Sequence, residues 1–484
     1  MILQKDFLRK ALPLAQFFTD GNNVTTESVW ACQGLESTVG AAIDSRMVVA
    51  GDVFFALDGA STDGHLFIEQ ALDKGALAIV IKEGKQTYVN TAALQKNLAG
   101  KLVIVVADPC QALIDLTRAW RALFTCPVVG ITGSIGKTTT KEMVRTLLAS
   151  AQIPAFVSYK NYNTQLGVCL NLLRADLSVK AIVLEVGINH KGEMDGIAQL
   201  LRPTIGLITC IAHSHGEGLG GLPEIAQEKR QLFSYFKAHE VGIVFGDQEF
   251  LSDINYAHPI SKFGFKTKNQ VQARKVKVNY QASGQLTTNF TLKWYGQKAD
   301  VCLKGNHGGL VHNALAASTI AYFLQIPFEA IVEGLESYQG FENRFEARQL
   351  KDGRGLLLSD CYNANPESMR AALLAFEQMP STGKKVVVIG DMLELGPREL
   401  YWHRQVGRVL YKTLSVSAVI LVGPRAKVIA KTAPITMEID TANDWQEACD
   451  TLDRMLSGHQ ALVLVKASGG MKLDKMVAQV TELA

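Results

Sequence analysis

One stretch constrains this chain more than any other. A short apolar run at 128–131 leads into Gly130-Ile-Thr-Gly133-Ser134-Ile-Gly136-Lys137-Thr138-Thr139-Thr140, and 138–150 carries a helical pattern. A strand that feeds a glycine-rich turn into a helix aims backbone N–H groups and the positive helix end at an anion. In such a loop Lys137 meets the β/γ-phosphates of a nucleotide and Thr138 meets Mg²⁺. The strict GxxxxGK[ST] spacing is not met, because Ile131 stands where the first glycine belongs; the shorter GxxGKT core is present instead. The bland alternative is a strand-to-helix turn with no ligand, but GKT in this context rarely arises by accident.

The rest of the chain reads as more of the same architecture. Its 484 residues suggest about three domains at ~100–200 residues each. Apolar runs at 53–57, 78–81 and 102–106 predict strands of a small first unit, with room for a helix at 64–75. Runs at 128–131, 155–157, 181–185, 205–209 and 241–245 read as strands buried on both faces of a parallel sheet. Alternating Thr/Val/Lys-rich sequence at 271–278 and 285–295 predicts an appended antiparallel hairpin, and 314–323 an apolar helix. A third series at 356–358, 386–389, 418–422 and 461–466 predicts another βα domain. Domains are therefore expected at 1–125, 126–344 and 345–484.

Composition excludes several classes. Lys+Arg number 49 against 46 Asp+Glu, a net charge of only +3, so no strong whole-protein pull toward nucleic acid or an anionic membrane is expected. The apolar runs fall far short of the ~18 residues of a membrane span. The N-terminal stretch, with Lys5 and Asp6, does not read as an export signal. Eight scattered cysteines without CxxC read as reduced, mostly buried thiols of a cytoplasmic protein.

Three further features carry chemistry. Glu185 closes a predicted parallel strand, a place suited to Mg²⁺ beside a phosphate loop, whereas alone it would be a solvated strand-end acid. The segment Thr209-Cys210-Ile-Ala-His213-Ser-His215-Gly216-Glu217-Gly218 is either a metal- and phosphate-facing loop or a glycine-rich loop with incidental histidines. Lys229 lies on an amphipathic helix over 224–233, where a lysine is ordinarily a solvated surface charge.

Taken together, these stretches resemble the Mur ligases, which build the peptide stem of bacterial cell-wall precursors. The resemblance rests on TGSIGKTTT, Asn161-Tyr-Asn163-Thr-Gln-Leu-Gly167, LEVGIN, the His215 loop and IAQEK ending at Lys229. Asp44-Ser45-Arg46 with Asp63-Gly64-His65, Asp360-Cys-Tyr362-Asn363-Ala-Asn365-Pro-Glu-Ser368-Met369, and Gly390-Asp391-Met392-Leu-Glu394-Leu395-Gly396 with His403 resemble the branch that adds D-alanyl-D-alanine.

The resemblance implies a three-domain α/β fold. A central P-loop-type, mostly parallel sheet would be flanked by a small N-terminal α/β UDP-binding domain and a C-terminal Rossmann-like domain. It implies ATP and two Mg²⁺ ions, with UDP-N-acetylmuramoyl-tripeptide and D-Ala-D-Ala as substrates. It implies a monomer with no nucleic-acid partner and no membrane insertion. Residue by residue, it places Gly133, Ser134, Gly136, Lys137, Thr138 and Thr139 on the ATP phosphates, Asn313 on adenine, Arg344 on phosphate and Asp360 on ribose. Thr138, Glu185 and His215 would hold or support Mg²⁺, and Lys229 would be carbamylated. Lys137, Glu185, His215 and Lys229 form the implied catalytic set. Asp44, Ser45 and Arg46 would meet the UDP part, and Asn161, Asn163, Tyr362, Asn363 and Asn365 the other substrates.

Four departures stand out. Cys210 replaces a usual Asn, and Cys169 a common Pro. Residues 305–313 carry extra sequence, and Lys466-Ala467-Ser468-Gly469 lacks the usual Arg. Two other readings stay open: a sister ligase adding a single amino acid, and a nucleotide switch that makes no bond. Without a GxSxG element, hydrolase-type nucleophilic catalysis is unsupported.

Overall fold

A computed structural model describes residues 5–19, 22–23, 40–59, 62–89, 97–98, 101–159, 162–213, 216–280, 286–305, 309–456 and 458–482. Asn161 and His215 lie outside the described residues, as do 306–308 within the departing 305–313 segment. Contacts divide the chain into two compact units, one of 1–130, 154–188 and 195–204, the other of 131–153, 189–194 and 205–484.

The first unit holds a six-stranded sheet. Its strands are β1 (Gln16–Thr19), β2 (Asn22–Asn23), β3 (Gly40–Ala42), β4 (Asp52–Phe55), β5 (Ala78–Lys82) and β6 (Leu102–Val106), in the order β2-β1-β6-β5-β4-β3. β3 to β6 pair in parallel, whereas β1 runs antiparallel to β6. Every residue of β4 and β6 is buried, which is why 53–55 and 102–106 read as unbroken apolar runs, Asp52 at the start of β4 being a buried charge. The helix predicted within 64–75 is a 3₁₀ turn, Gly64–Phe67, followed by an α-helix, Ile68–Asp73. The helix Pro109–Arg121 starts at an Asp108 cap with Pro109 at its first position, as capping rules favour. Arg174 donates to Asp52 Oδ2 at 2.7 Å and reaches the Ala41 carbonyl, tying 154–188 to the edge of the sheet. β7 (Val128–Thr132) crosses the division, and β8 (Ala155–Val157) pairs in parallel with β9 (Ala181–Glu185).

In the second unit β10 (Ile205–Ile208), β11 (Val241–Phe245) and β12 (Ile260–Gly264) are parallel. The expected hairpin is a three-stranded meander of β13 (Val271–Tyr280), β14 (Leu286–Trp294) and β15 (Gln297–Lys304). The two residues between β14 and β15 explain the extra strand. Tyr295 and Gly296 both have positive φ, 45° and 94°, the signature of a tight turn that folds the chain back.

The last sheet contains β16 (Glu346–Gln349), β17 (Gly355–Asp360), β18 (Lys384–Gly390), β19 (Ala418–Val422), β20 (Glu438–Ala442) and β21 (Ala461–Lys466), in the order β16-β17-β21-β18-β19-β20. All neighbours are parallel except β16. Buried clusters cover both faces, Leu358, Met369 and Phe376 on one and Val388, Ile420 and Leu452 on the other. β16 and β20 had no apolar signal because they are edge strands with polar, partly exposed residues.

Candidate nucleotide-binding and ligase site

The 133–136 turn is held open by its glycines. Gly133 has φ +142° and Gly136 +88°, and a Cβ at Gly133 would lie 1.8 Å from Thr209 Oγ1. Gly136 caps the helix Lys137–Ser150 with no side-chain acceptor, so the first N–H groups of that helix are left for an anion. Lys137 Nζ folds back onto the Gly133 carbonyl at 2.7 Å. The segment after β10 laces the turn from one side. Ser134 N–H donates to the Cys210 carbonyl (2.9 Å), Ser134 Oγ to the Ala212 carbonyl (2.9 Å) and Thr209 Oγ1 to the Ile135 carbonyl (2.5 Å). One part of the Thr209–Gly218 segment is thus a brace for the phosphate loop.

Other expected nucleotide residues converge on the same turn. Arg344 donates to Thr138 Oγ1 at 3.1 Å and lies over the Tyr362 ring, 4.1 Å from its centroid. Arg344 Nε has no partner among the described residues. Its neighbours Asn343 and Phe345 both take positive φ, 55° and 57°; for Phe345 this is a costly conformation held by the surroundings. Buried Asn313 accepts from Thr140 Oγ1 at 3.4 Å, and its Oδ1 lies where a Gly136 Cβ would point. Buried Thr139 belongs to the first turn of the helix.

Asp360 ends β17 and accepts from Lys466 Nζ at 2.7 Å; Lys466 also donates to the Asn363 carbonyl at 3.2 Å. Two expected substrate residues are spent locally. Asn363 Oδ1 accepts from the Ala364 N–H, and Asn365 caps the helix Pro366–Glu377 in a reciprocal pair with Ser368. Ser468 joins the two loop motifs: its hydroxyl accepts from Leu393 N–H (2.9 Å) and donates to the Ala364 carbonyl (3.4 Å), and its N–H donates to the Asp391 carbonyl (3.1 Å). His403 accepts from Met392 N–H at Nε2 and therefore donates from Nδ1 to the Glu399 carbonyl. Arg425, with no sequence signal, bonds both Glu399 and Asp391.

Lys229 departs from what its local pattern alone suggests. It is fully buried on the helix Leu222–Arg230, not a solvated surface charge, and Nζ has no hydrogen-bond partner among the described residues. Burial, then the charge of Lys137, pushes it down to about 7. Lowered to that value, the buried amine is partly neutral near pH 7, which is the form able to react with CO₂. Burial also raises the Cys210 thiol, whose Sγ faces the Ile135 carbonyl at 3.6 Å. Of the seven described cysteines three are buried and four half-buried, against an expectation of mostly buried; none is paired. His213 bonds Glu367 at 2.6 Å and packs on Trp402, so it is not an incidental loop histidine.

In the first unit, buried Glu185 accepts from Asn163 Nδ2 at 2.9 Å through Oε1, while Oε2 has no partner among the described residues. Such an orphan carboxylate oxygen fits a metal ligand. Ser45 turns inward and donates to Gln70 at 2.6 Å; exposed Arg46 grips Asp44 and holds its carboxyl below the usual range. Asp58, Asp63 and His65 cluster at metal-like spacing. However, His65 Nε2 accepts from Lys82 N–H, and Lys82 and Lys85 already pair with the two acids.

A glycine-hinged turn between a buried strand and a fourteen-residue helix, with lysine at the first helical position, defines a phosphate-loop α/β protein. Residues 39–121 match the Mur ligase family catalytic domain, 131–321 the Mur ligase middle domain, and 343–469 the Mur ligase glutamate ligase domain. The UDP-N-acetylmuramoyl-tripeptide–D-alanyl-D-alanine ligase of Bacillus subtilis is 32% identical over 92% of this chain and 94% of its own length. The Escherichia coli enzyme of the same name is 30% identical over 93% and 95%. A crystal structure of MurF from Acinetobacter baumannii superposes with a TM-score of 0.82 at 28% identity, covering 98% of each chain. MurF ligase from Thermotoga maritima in complex with ADP gives 0.75 at 25% identity, over 91% and 96%. The chain belongs to the Mur ligase family and has its three-domain α/β fold. Among the described residues no helix is long and apolar enough to cross a membrane.

Proposed function

We infer that this chain is an ATP-dependent ligase joining D-Ala-D-Ala to the terminal carboxylate of UDP-N-acetylmuramoyl-tripeptide, in cytoplasmic peptidoglycan precursor synthesis. The observation that carries this reading is the near-full-length likeness to ligases of that name. The intact phosphate-loop geometry and the orphan polar atoms of Glu185, Lys229 and Arg344 support it.

The substrate carboxylate attacks the γ-phosphoryl group, ADP leaves, and the dipeptide amine then displaces phosphate from the acyl phosphate. A carboxylate is a weak nucleophile and is repelled by another anion, so charge neutralisation and positioning must supply the catalysis. Lys137 and the N–H groups of Gly133, Gly136, Thr138 and Thr139 take the phosphates, while Ser134, expected among them, spends its N–H and hydroxyl on the Cys210 and Ala212 carbonyls and serves by shaping the loop. Asn313 takes adenine, Asp360 ribose and Arg344 phosphate. Thr138, Glu185 and His215 are the proposed Mg²⁺ ligands; when bound, Mg²⁺ neutralises phosphoryl oxygens. Carbamylated Lys229 adds a buried anion toward the second ion. Asp44, Ser45 and Arg46 serve the UDP end, and Asn161, Asn163, Tyr362, Asn363 and Asn365 the peptide substrates, the last two chiefly by shaping their loop. Domains of 1–125, 126–344 and 345–484 in a monomer divide these tasks.

The test is phosphate release with Mg²⁺-ATP and UDP-N-acetylmuramoyl-tripeptide, with and without D-Ala-D-Ala. Release that needs all three, with a product heavier by the dipeptide, is expected. Release indifferent to the dipeptide would turn the reading to a sister ligase or a nucleotide switch.

A further inference from the structure

We propose that His312 is a positioning residue for the phosphate loop, acting through Thr209 without touching a ligand; the proposal rests on the nucleotide reading of that loop. His312 lies in the first turn of the helix Leu310–Phe323, packed edge-on between Phe245 and Phe263 with ring centroids 4.4 and 5.1 Å away. Its Nε2 is 3.0 Å from the Thr209 carbonyl oxygen. A carbonyl only accepts, so Nε2 carries the proton and donates. The apolar surroundings push the imidazole down to about 4, which keeps this ring neutral near pH 7.

Thr209 lies one residue past the end of β10, and its own N–H bonds the Thr132 carbonyl at 2.9 Å. The His312 bond fixes the Thr209–Cys210 peptide plane from the other side. From the two residues flanking that plane two links reach the loop. The Cys210 carbonyl accepts Ser134 N–H, and Thr209 Oγ1 donates to the Ile135 carbonyl. Ser134 and Ile135 are the residues between the two positive-φ glycines, where the backbone has the most freedom to collapse. Asn313, the next residue along the helix, braces Gly136 and Thr140. One helical turn thus holds the loop at both ends, and anion-facing N–H groups are effective only when preorganised.

The experiment measures binding of Mg²⁺-ADP by calorimetry, together with KM for ATP and kcat, in four variants. His312→Phe keeps the packing and loses the donor; His312→Gln keeps an N–H. Thr209→Val loses the hydroxyl; Thr209→Ser keeps it. Loss of one such hydrogen bond should weaken ADP and raise KM for ATP about tenfold in His312→Phe and Thr209→Val. KM for the tripeptide and dipeptide should not change. Gln and Ser should restore nucleotide affinity to within about threefold, and the double Phe/Val variant should lose less than the product of the singles, since both act on one path. If His312→Phe binds Mg²⁺-ADP as the parent does, or if Phe and Gln lower the melting temperature alike with no change in KM for ATP, the positioning role is refuted. A parent chain that binds no Mg²⁺-ADP would instead remove the nucleotide reading itself.

Discussion

Replacing Gly136 by alanine tests the loop geometry most directly. The backbone there has φ +88°, and a new Cβ would lie 2.3 Å from Asn313 Oδ1. A left-handed conformation costs a residue with a Cβ ~1–2 kcal/mol. To clear the methyl, the Asn313 amide must rotate and release its bond from Thr140, a further ~1 kcal/mol. The sum, ~2–3 kcal/mol, corresponds to about 30–150-fold in affinity if the strained loop is the one that binds phosphate. Gly84 supplies the control. It has φ +83°, but nothing lies within 4 Å of its would-be Cβ. Gly84→Ala should therefore carry the conformational cost in stability alone and leave nucleotide binding intact. Titration of Mg²⁺-ADP into both variants separates the effects. A Gly136→Ala protein within threefold of parent affinity, or a Gly84→Ala protein equally impaired, would refute the reasoning.

Lys466→Met should destabilise the last sheet by ~3–5 kcal/mol, because it strands Asp360 after removing the buried partner of a 2.7 Å pair; amide exchange along β17 and β21 reads this, and a loss under ~1 kcal/mol would dismiss the pair. Burial lowers Lys229 to about 7, so its neutral amine, the form that reacts with CO₂, predominates above that pH. Carbon-13 NMR with labelled bicarbonate should then show a carbamate that grows from pH 6 to pH 8 and is missing in Lys229→Arg; no signal at pH 8 in the parent counts against carbamylation. Chelation of Mg²⁺ should abolish phosphate release. Glu185→Gln keeps an acceptor for Asn163 but loses the charge at the orphan oxygen, and should raise the Mg²⁺ concentration needed for half-maximal rate at least tenfold; an unchanged Mg²⁺ midpoint would exclude Glu185 as a ligand.

How much was legible in the sequence depended on how local the physics is. The phosphate loop was fully legible: a buried strand, two glycines that alone tolerate the required φ, and a lysine at the first helical position all lie within 128–150. The central strands of the sheets were legible because burial on both faces forces unbroken apolar runs, and 181–185, 241–245, 418–422 and 461–466 agree with β9, β11, β19 and β21 to the residue. Edge strands β16 and β20 escaped because one-sided pairing leaves no such run.

Tertiary structure alone decided the rest. Lys229 sits in a polar stretch whose pattern says surface, yet packing against it from sequence-distant elements buries the amine and leaves it without a partner among the described residues. Thr209 is separated from Ile135 by 74 positions and from His312 by 103, so no local pattern could link them. Arg425 reaches the Asp391 loop from 34 positions away, and Ser468 joins two motifs that the sequence shows only as separate strings. Backbone conformation follows from neighbouring residues, but which face of a helix loses water, and which carbonyl gains a donor, follows from what packs against it.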